Sequence, residues 1–127
     1  MAYKLTLQQK PACLHATVTG ENSRENVARY LQELRRECVA RTCSRVLVEE
    51  RLEGARLGTS DVFAIVMDES SRAVGVFQAI AYVDVNAGGD MMKFAENVAL
   101  NRGVPVRLFG TVAEAEKWLE DPFTSAR

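Results

Sequence analysis

The sequence has few residues that could support metal or disulfide chemistry. It contains one histidine, His15, and three cysteines, Cys13, Cys38 and Cys43. The cysteines are odd in number and form no CxxC pair, so a structural zinc site is not expected. Cys38 falls on the apolar face of a predicted helix, where we interpret it as a small core residue. We therefore predict no metal and no cofactor.

Charge and hydropathy argue against two further classes of partner. The chain has 16 Lys and Arg against 17 Asp and Glu, and no basic stripe or tail, so a nucleic acid is not expected as its main partner. Its longest apolar runs, such as VFAIVM at residues 62–67, are far too short to span a membrane. The opening residues MAYKLTLQQK lack the apolar block of a signal peptide, which predicts a cytoplasmic protein.

What the chain does contain is a regular succession of strand and helix patterns. Its 127 residues fit one domain, which we place at residues 3–120, followed by a C-terminal tail at 121–127. Trp118 lies on the apolar face of the last helix and is expected to be largely buried. The periodicities, caps and glycines predict β-β-α-β-α-β-α-β-α: strands at 3–7, 14–18, 45–50, 77–85 and 105–109, and helices starting at the caps Asn22, Thr59, Gly88 and Thr111.

A hairpin followed by three strand-helix units predicts a mixed sheet flanked by helices, whose ligands usually meet the carboxyl ends of the strands. Those ends carry Glu49, Glu50, Asp84 and Asn86, a candidate strand-end site. Glu49 and Glu50 should point to opposite faces and cannot act together, but either could meet Asp84 if their strands are neighbours. The alternative is that these side chains are only solvated or capping groups.

The stretch LEGARLGTSDVF, residues 52–63, does not predict catalysis. A phosphate-binding loop needs a lysine to reach the outer phosphates, but the segment from Gly54 to Ser60 is one residue too short and has none. A Ser-His-acid triad is not expected either, because His15 lies in the N-terminal hairpin, where it should face solvent or the sheet rim. We assign no catalytic residue and predict that the protein is not an enzyme.

Over about residues 3–120 the chain resembles the STAS domain, both in the order of its elements and in four sequence segments: LGTSDVF, IAYVDVN, FAENVALNRG and VRLFGTVAEAEKWL. They look most like its bacterial SpoIIAA-like, or STAS/CRAL-TRIO-like, branch. The resemblance implies an α/β fold with an N-terminal β-hairpin, three strand-helix units and a mixed sheet. It also implies a non-enzymatic regulatory module that, like anti-sigma-factor antagonists, binds a protein partner such as an anti-sigma-type regulator. The CRAL-TRIO likeness implies the alternative, a carrier or sensor of a small apolar or lipid-like ligand.

The same resemblance implies a phosphoacceptor at the start of the helix after the third strand. Anti-sigma-factor antagonists are phosphorylated on a serine there, where free N–H groups and the helix dipole tolerate a dianion. Ser60 or Thr59 occupies this place. The family pattern reads Asp-Ser-Ser-Gly, whereas this chain reads Gly-Thr-Ser-Asp over residues 58–61. The alternative is that Thr59, our choice, or Ser60 serves only as the N-cap.

The helix that begins at this point carries the apolar run VFAIVM, residues 62–67, in its first two turns. We expect Val62, Phe63 and Val66 to face the sheet, which puts Ile65 and Met67 on the flanks of the helix. An apolar flank is typical of a partner surface, a homodimer contact or the lid of a small apolar site; the alternative is that a neighbouring element covers it. Partner binding is therefore assigned to Leu57, Gly58, Thr59, Ser60, Ile65 and Met67.

Overall fold

The computed structural model describes residues 3–55, 57–84 and 89–121, with the backbone alone for 89–92. Over these residues the elements follow the predicted order. The strands are β1 (Tyr3–Gln9), β2 (Leu14–Glu21), β3 (Arg45–Glu53), β4 (Ala79–Asp84) and β5 (Val106–Phe109). The helices are α1 (Arg24–Ala40), α2 (Thr59–Ala73), α3 (Gly89–Asn101) and α4 (Val112–Glu120).

The strands form one mixed sheet in the order β1-β2-β3-β4-β5. β1 pairs antiparallel with β2 through the predicted hairpin, and each later strand pairs parallel with the one before it. Such parallel pairs require the intervening helices as crossovers, which explains the alternation along the chain. The predicted mixed α/β sheet is thus confirmed.

The alternation of side chains along β3 divides the core into two layers. Val46 and Val48 pack with β2 and α1 on one face, where α2 and α3 also lie. Leu47 packs with α4 on the opposite face, next to Ala81 of β4. Both faces of the central strands are therefore buried, as expected for parallel strands covered by helices.

The helix caps differ in part from the predicted ones. Ser23, not Asn22, caps α1, because its hydroxyl accepts the N–H of Asn26. Gly58 has the extended backbone of the N-cap of α2 and makes no side-chain cap bond, so Thr59 is the first helical residue rather than the cap. Thr111 does cap α4 as predicted, accepting the N–H of Glu114. Both shifts amount to one residue, which is the scale on which the bounds of a helix end vary.

The predicted orientation of α2 is wrong for Phe63 and Ile65, whereas Val62 and Val66 lie on the sheet side as expected and line the space beneath the helix. Ile65 is only 7 % exposed and faces the interior, whereas Phe63 is 45 % exposed. The run VFAIVM contains no polar residue that would reveal the helical phase from the sequence, and the fully buried residues of α2 are Ile65, Ser70 and Ala73. Trp118 is partly buried and packs against the sheet as expected, with its ring centroid 5.4 Å from that of Phe109 of β5. None of the described helices has the length and apolar character to cross a membrane.

Candidate functional site

A cavity of about 190 Å³ lies between α2 and the sheet. Helix α2 packs on α1 and α3, and several of the side chains that line the space are short: Val48 of β3, Ala73 of α2 and Ala99 of α3. The space is half open to solvent and larger than the gaps that close packing leaves between core side chains, so it is a distinct feature of the fold. Its apolar wall is built from all three helices and the sheet, by residues that include Leu31, Leu34, Val46, Leu57, Val62, Ile65, Val66, Phe77 and Ile80.

One acidic side chain, Glu50 of β3, lies in the wall of this cavity and is only 5 % exposed. Its Oε2 atom accepts hydrogen bonds from the hydroxyl groups of Tyr30 on α1 and Tyr82 on β4. The two tyrosine oxygens are 2.8 Å apart, so the three groups form one cluster. Tyrosine is suited to this place because its ring packs in the core while its hydroxyl reaches a polar partner.

The parallel register places Asp84 of β4 directly beside Glu50. The proximity of this second acid disfavours the charged form of Glu50. The expectation that Asp84 could meet one of the two adjacent glutamates is therefore met for Glu50. Asn86 lies outside the described residues.

The environment of Glu50 shifts its pKa strongly. The pKa of this carboxyl is raised to about 7, chiefly by burial and in smaller part by Asp84, while the hydrogen bonds from Tyr30 and Tyr82 act in the opposite direction. Burial and the neighbouring Glu50 also raise the pKa of both tyrosines well above the usual value, so both remain protonated donors. Glu50 is thus a buried acid that exchanges its proton near neutral pH.

Glu49 points to the opposite face of the sheet, as predicted. Its Oε1 atom is 2.9 Å from Nε2 of His15, and its Oε2 atom accepts a bond from Arg51. Burial alone would raise the pKa of Glu49, but the bonds from Arg51 and His15 outweigh it and hold this pKa below its usual value. His15 is only 9 % exposed, so the prediction of a solvent-facing or rim histidine is wrong; pairing with Glu49 explains its burial.

The six residues assigned to partner binding do not share one surface. Leu57 and Ile65 line the cavity, so Ile65 is not on an outer flank. Thr59 and Ser60 are exposed in the first turn of α2, and Gly58 before them is exposed too. Met67 is half-buried, and its sulfur lies 3.1 Å from Nε of Arg102. Whether any of the six binds a partner stays a prediction.

Sequence reasoning missed the cavity and both tyrosines of the cluster. A signal was present, because Glu50 follows the apolar residues VLV in a strand that is buried on both faces. A buried carboxyl needs hydrogen-bond donors. Tyr30 on the apolar face of α1 and Tyr82 in the central strand β4 were candidates for that role. The sequence gives no measure of the space left beneath a helix, so the cavity itself had no comparable signal.

The fold has a known structural counterpart. The structure is similar to that of an uncharacterized protein of the DUF3478 family with a SpoIIAA-like fold from Shewanella loihica PV-4, with a TM-score of 0.58 and 15% sequence identity. The likeness covers 93% of this chain and 94% of that chain. The fold is SpoIIAA-like. The predicted STAS-like, SpoIIAA-like architecture is confirmed, and at this identity the likeness concerns the fold alone. No family model and no curated protein matches the chain.

Proposed function

We propose that this protein is a carrier or sensor that binds a small, mainly apolar molecule in the cavity beneath α2. The observation that carries the proposal is the cavity itself. Its volume of about 190 Å³ exceeds that of an engineered core cavity of about 150 Å³ that binds benzene. A ligand with the size of a substituted benzene therefore matches the space.

The wall chemistry supports the same proposal. Ligand sites in proteins are mostly apolar with a few polar groups that fix the orientation of the ligand. Here the apolar walls suit the body of the ligand, and the cluster of Glu50, Tyr82 and Asp84 offers hydrogen bonds to its polar end. We propose binding without catalysis, because the polar groups of this cluster are carboxyls and phenols that bond to one another rather than to a nucleophile.

Isothermal titration calorimetry with phenethyl alcohol, a neutral molecule of suitable size, tests the proposal. Ala73→Leu adds bulk to the cavity wall, and Ala113→Leu makes the same change at an exposed position of α4. We expect saturable binding to the unmodified chain and to Ala113→Leu, and at least about tenfold weaker binding to Ala73→Leu. Absence of binding to the unmodified chain, or equal binding by both variants, would contradict the proposal.

A second candidate function is the regulatory protein-interaction module, with an anti-sigma-type regulator or a second copy of the chain as partner. The observation that favours it is the exposure of Thr59 and Ser60 at the start of α2. Beside them Phe63 is 45 % exposed and lies against Phe94 of α3, with ring centroids 6.3 Å apart. A phosphate on Ser60 would add a dianion next to this apolar pair and alter its ability to dock a partner.

A further inference from the structure

We propose that the molecule bound in the cavity beneath α2 carries a basic amine as its polar head, and that the carboxylate of Glu50 receives it. The inference rests on the proposed carrier or sensor function, and it adds the chemical class of the ligand. The site should thus prefer a small apolar amine to an alcohol or a carboxylic acid of the same size.

The first support is the set of groups that bond to Glu50. Among the described residues, the phenols of Tyr30 and Tyr82 donate to this carboxyl, and the acidic Asp84 lies beside it on β4. No lysine or arginine within that part of the chain donates a hydrogen bond to Glu50. A buried carboxylate is stabilised most by a cation that also donates hydrogen bonds, and the ammonium group of a ligand supplies both.

The second support is the charge of the remaining cavity wall. Arg35 is its one described basic residue, and its Nε lies 3.0 Å from Glu69 at the contact between α1 and α2. Glu96 is bonded by Lys93 at 2.8 Å and by the backbone N–H of Leu108. A carboxylate head placed beside Glu50 would therefore meet negative charge, which makes an acid of the fatty-acid or aryl-acid type a poor ligand.

The third support is the titration of Glu50. Because burial raises the pKa of this carboxyl to about 7, the cation-binding carboxylate form is in the minority at pH 6 and dominates at pH 8. The titratable groups facing it are Tyr30 from α1 and Tyr82 and Asp84 from β4. An alkylamine stays protonated across this range, so its affinity should rise with pH as Glu50 loses its proton.

The test compares three probes of matched size by calorimetry at pH 8: phenethylamine, phenethyl alcohol and phenylacetate. Glu50→Gln keeps the shape of the side chain and one acceptor oxygen but removes its charge. Glu49→Gln makes the same change one residue away, on the opposite face of the sheet, and serves as the matched control. In the unmodified chain and in Glu49→Gln we expect the amine to bind at least about tenfold more tightly than the alcohol. In Glu50→Gln that preference should fall below about twofold.

A pH series on the unmodified chain keeps the inference testable if Glu50→Gln does not fold. The affinity for phenethylamine should rise about tenfold from pH 6 to pH 8, whereas that for phenethyl alcohol should not rise. Alcohol or phenylacetate binding as tightly as the amine would overturn the inference and leave the proposed function standing. If none of the probes binds, the proposed function itself fails.

Discussion

Glu49 and Glu50 are adjacent along β3, yet their carboxyl groups lie on opposite faces of the sheet and their pKa values are shifted in opposite directions. Glu49 receives bonds from a histidine and an arginine, which favour the charged form. Glu50 is buried beside a second acid, which favours the neutral form. One type of substitution, Glu to Gln, therefore probes two different environments on a single strand.

The pH dependence of stability should reveal the protonation of Glu50. Burial raises its pKa from 4.5 to about 7, so the unfolded chain releases this proton at lower pH than the folded chain. The stability that it contributes is complete below pH 4.5 and is lost as pH rises to about 7, by roughly 3 kcal/mol. Urea unfolding should therefore show Glu50→Gln gaining stability relative to the unmodified chain between pH 4.5 and pH 8. A difference that does not change with pH would contradict the raised pKa.

Glu49→Gln should show the opposite trend. The folded pKa of Glu49 is lowered, so its contribution is present above the unfolded pKa and is lost as pH falls towards the folded one. Glu49→Gln should thus be more destabilising at pH 7 than at pH 3, measured by the same urea unfolding. Equal destabilisation at both values would show that the bonds from His15 and Arg51 do not favour the charged carboxylate.

The tyrosine donors should matter most when Glu50 is charged. Tyr30→Phe removes one donor to this carboxyl in the core, and we expect a loss of about 1–3 kcal/mol at pH 8, with a smaller loss at pH 5. Tyr3→Phe is the control, because the hydroxyl of Tyr3 bonds to Glu33 at the exposed surface and should cost only about 0.5 kcal/mol. Thermal unfolding at both pH values measures the two effects. If Tyr30→Phe lowered the stability equally at pH 5 and pH 8, the Tyr30 hydrogen bond would not depend on the charge of Glu50.

Two residues of α2 separate the observed orientation of the helix from the predicted one. Ile65→Lys places a charge in the buried wall of the cavity and should cost about 4 kcal/mol or prevent folding. Phe63→Lys changes an exposed side chain and should stay within about 1 kcal/mol of the unmodified chain. Urea unfolding of both variants is the measurement. Ile65 on an outer flank of the helix, as predicted from the sequence, would require Ile65→Lys to be as stable as Phe63→Lys.

The fold was more predictable than the site for reasons visible in single residues. Strand alternation and glycine positions are local signals, so the order of elements and the opposite orientation of Glu49 and Glu50 followed from them. The phase of α2 did not, because VFAIVM is apolar at every position. The cluster around Glu50 joins residues from α1, β3 and β4, which are far apart along the chain, and only the register of the sheet brings Asp84 beside it. The cavity depends on side-chain volumes in three dimensions, which no periodicity encodes.

The start of α2 offers the last test, which separates a helix terminus from a regulatory site. Gly58 is the N-cap, so Thr59→Ala removes no capping bond and should change stability by no more than about 0.5 kcal/mol, instead of the loss of about 1 kcal/mol expected of a cap. Ser60→Asp places an anion in the first turn and should be neutral or stabilising by about 0.5 kcal/mol.

If Ser60 is a phosphorylation switch, its substitution should change association with a partner as well as stability. Ser60→Asp must then abolish association with the partner, or self-association measured by sedimentation, while Ser60→Ala leaves it intact and both variants melt like the unmodified chain. Phosphopeptide mass spectrometry on protein from its native host should in that case find the modification on Ser60 or Thr59. If the peptides are unmodified and Ser60→Asp associates normally, the exposed first turn of α2 has no regulatory role. The cavity beneath the same helix then remains the candidate functional site.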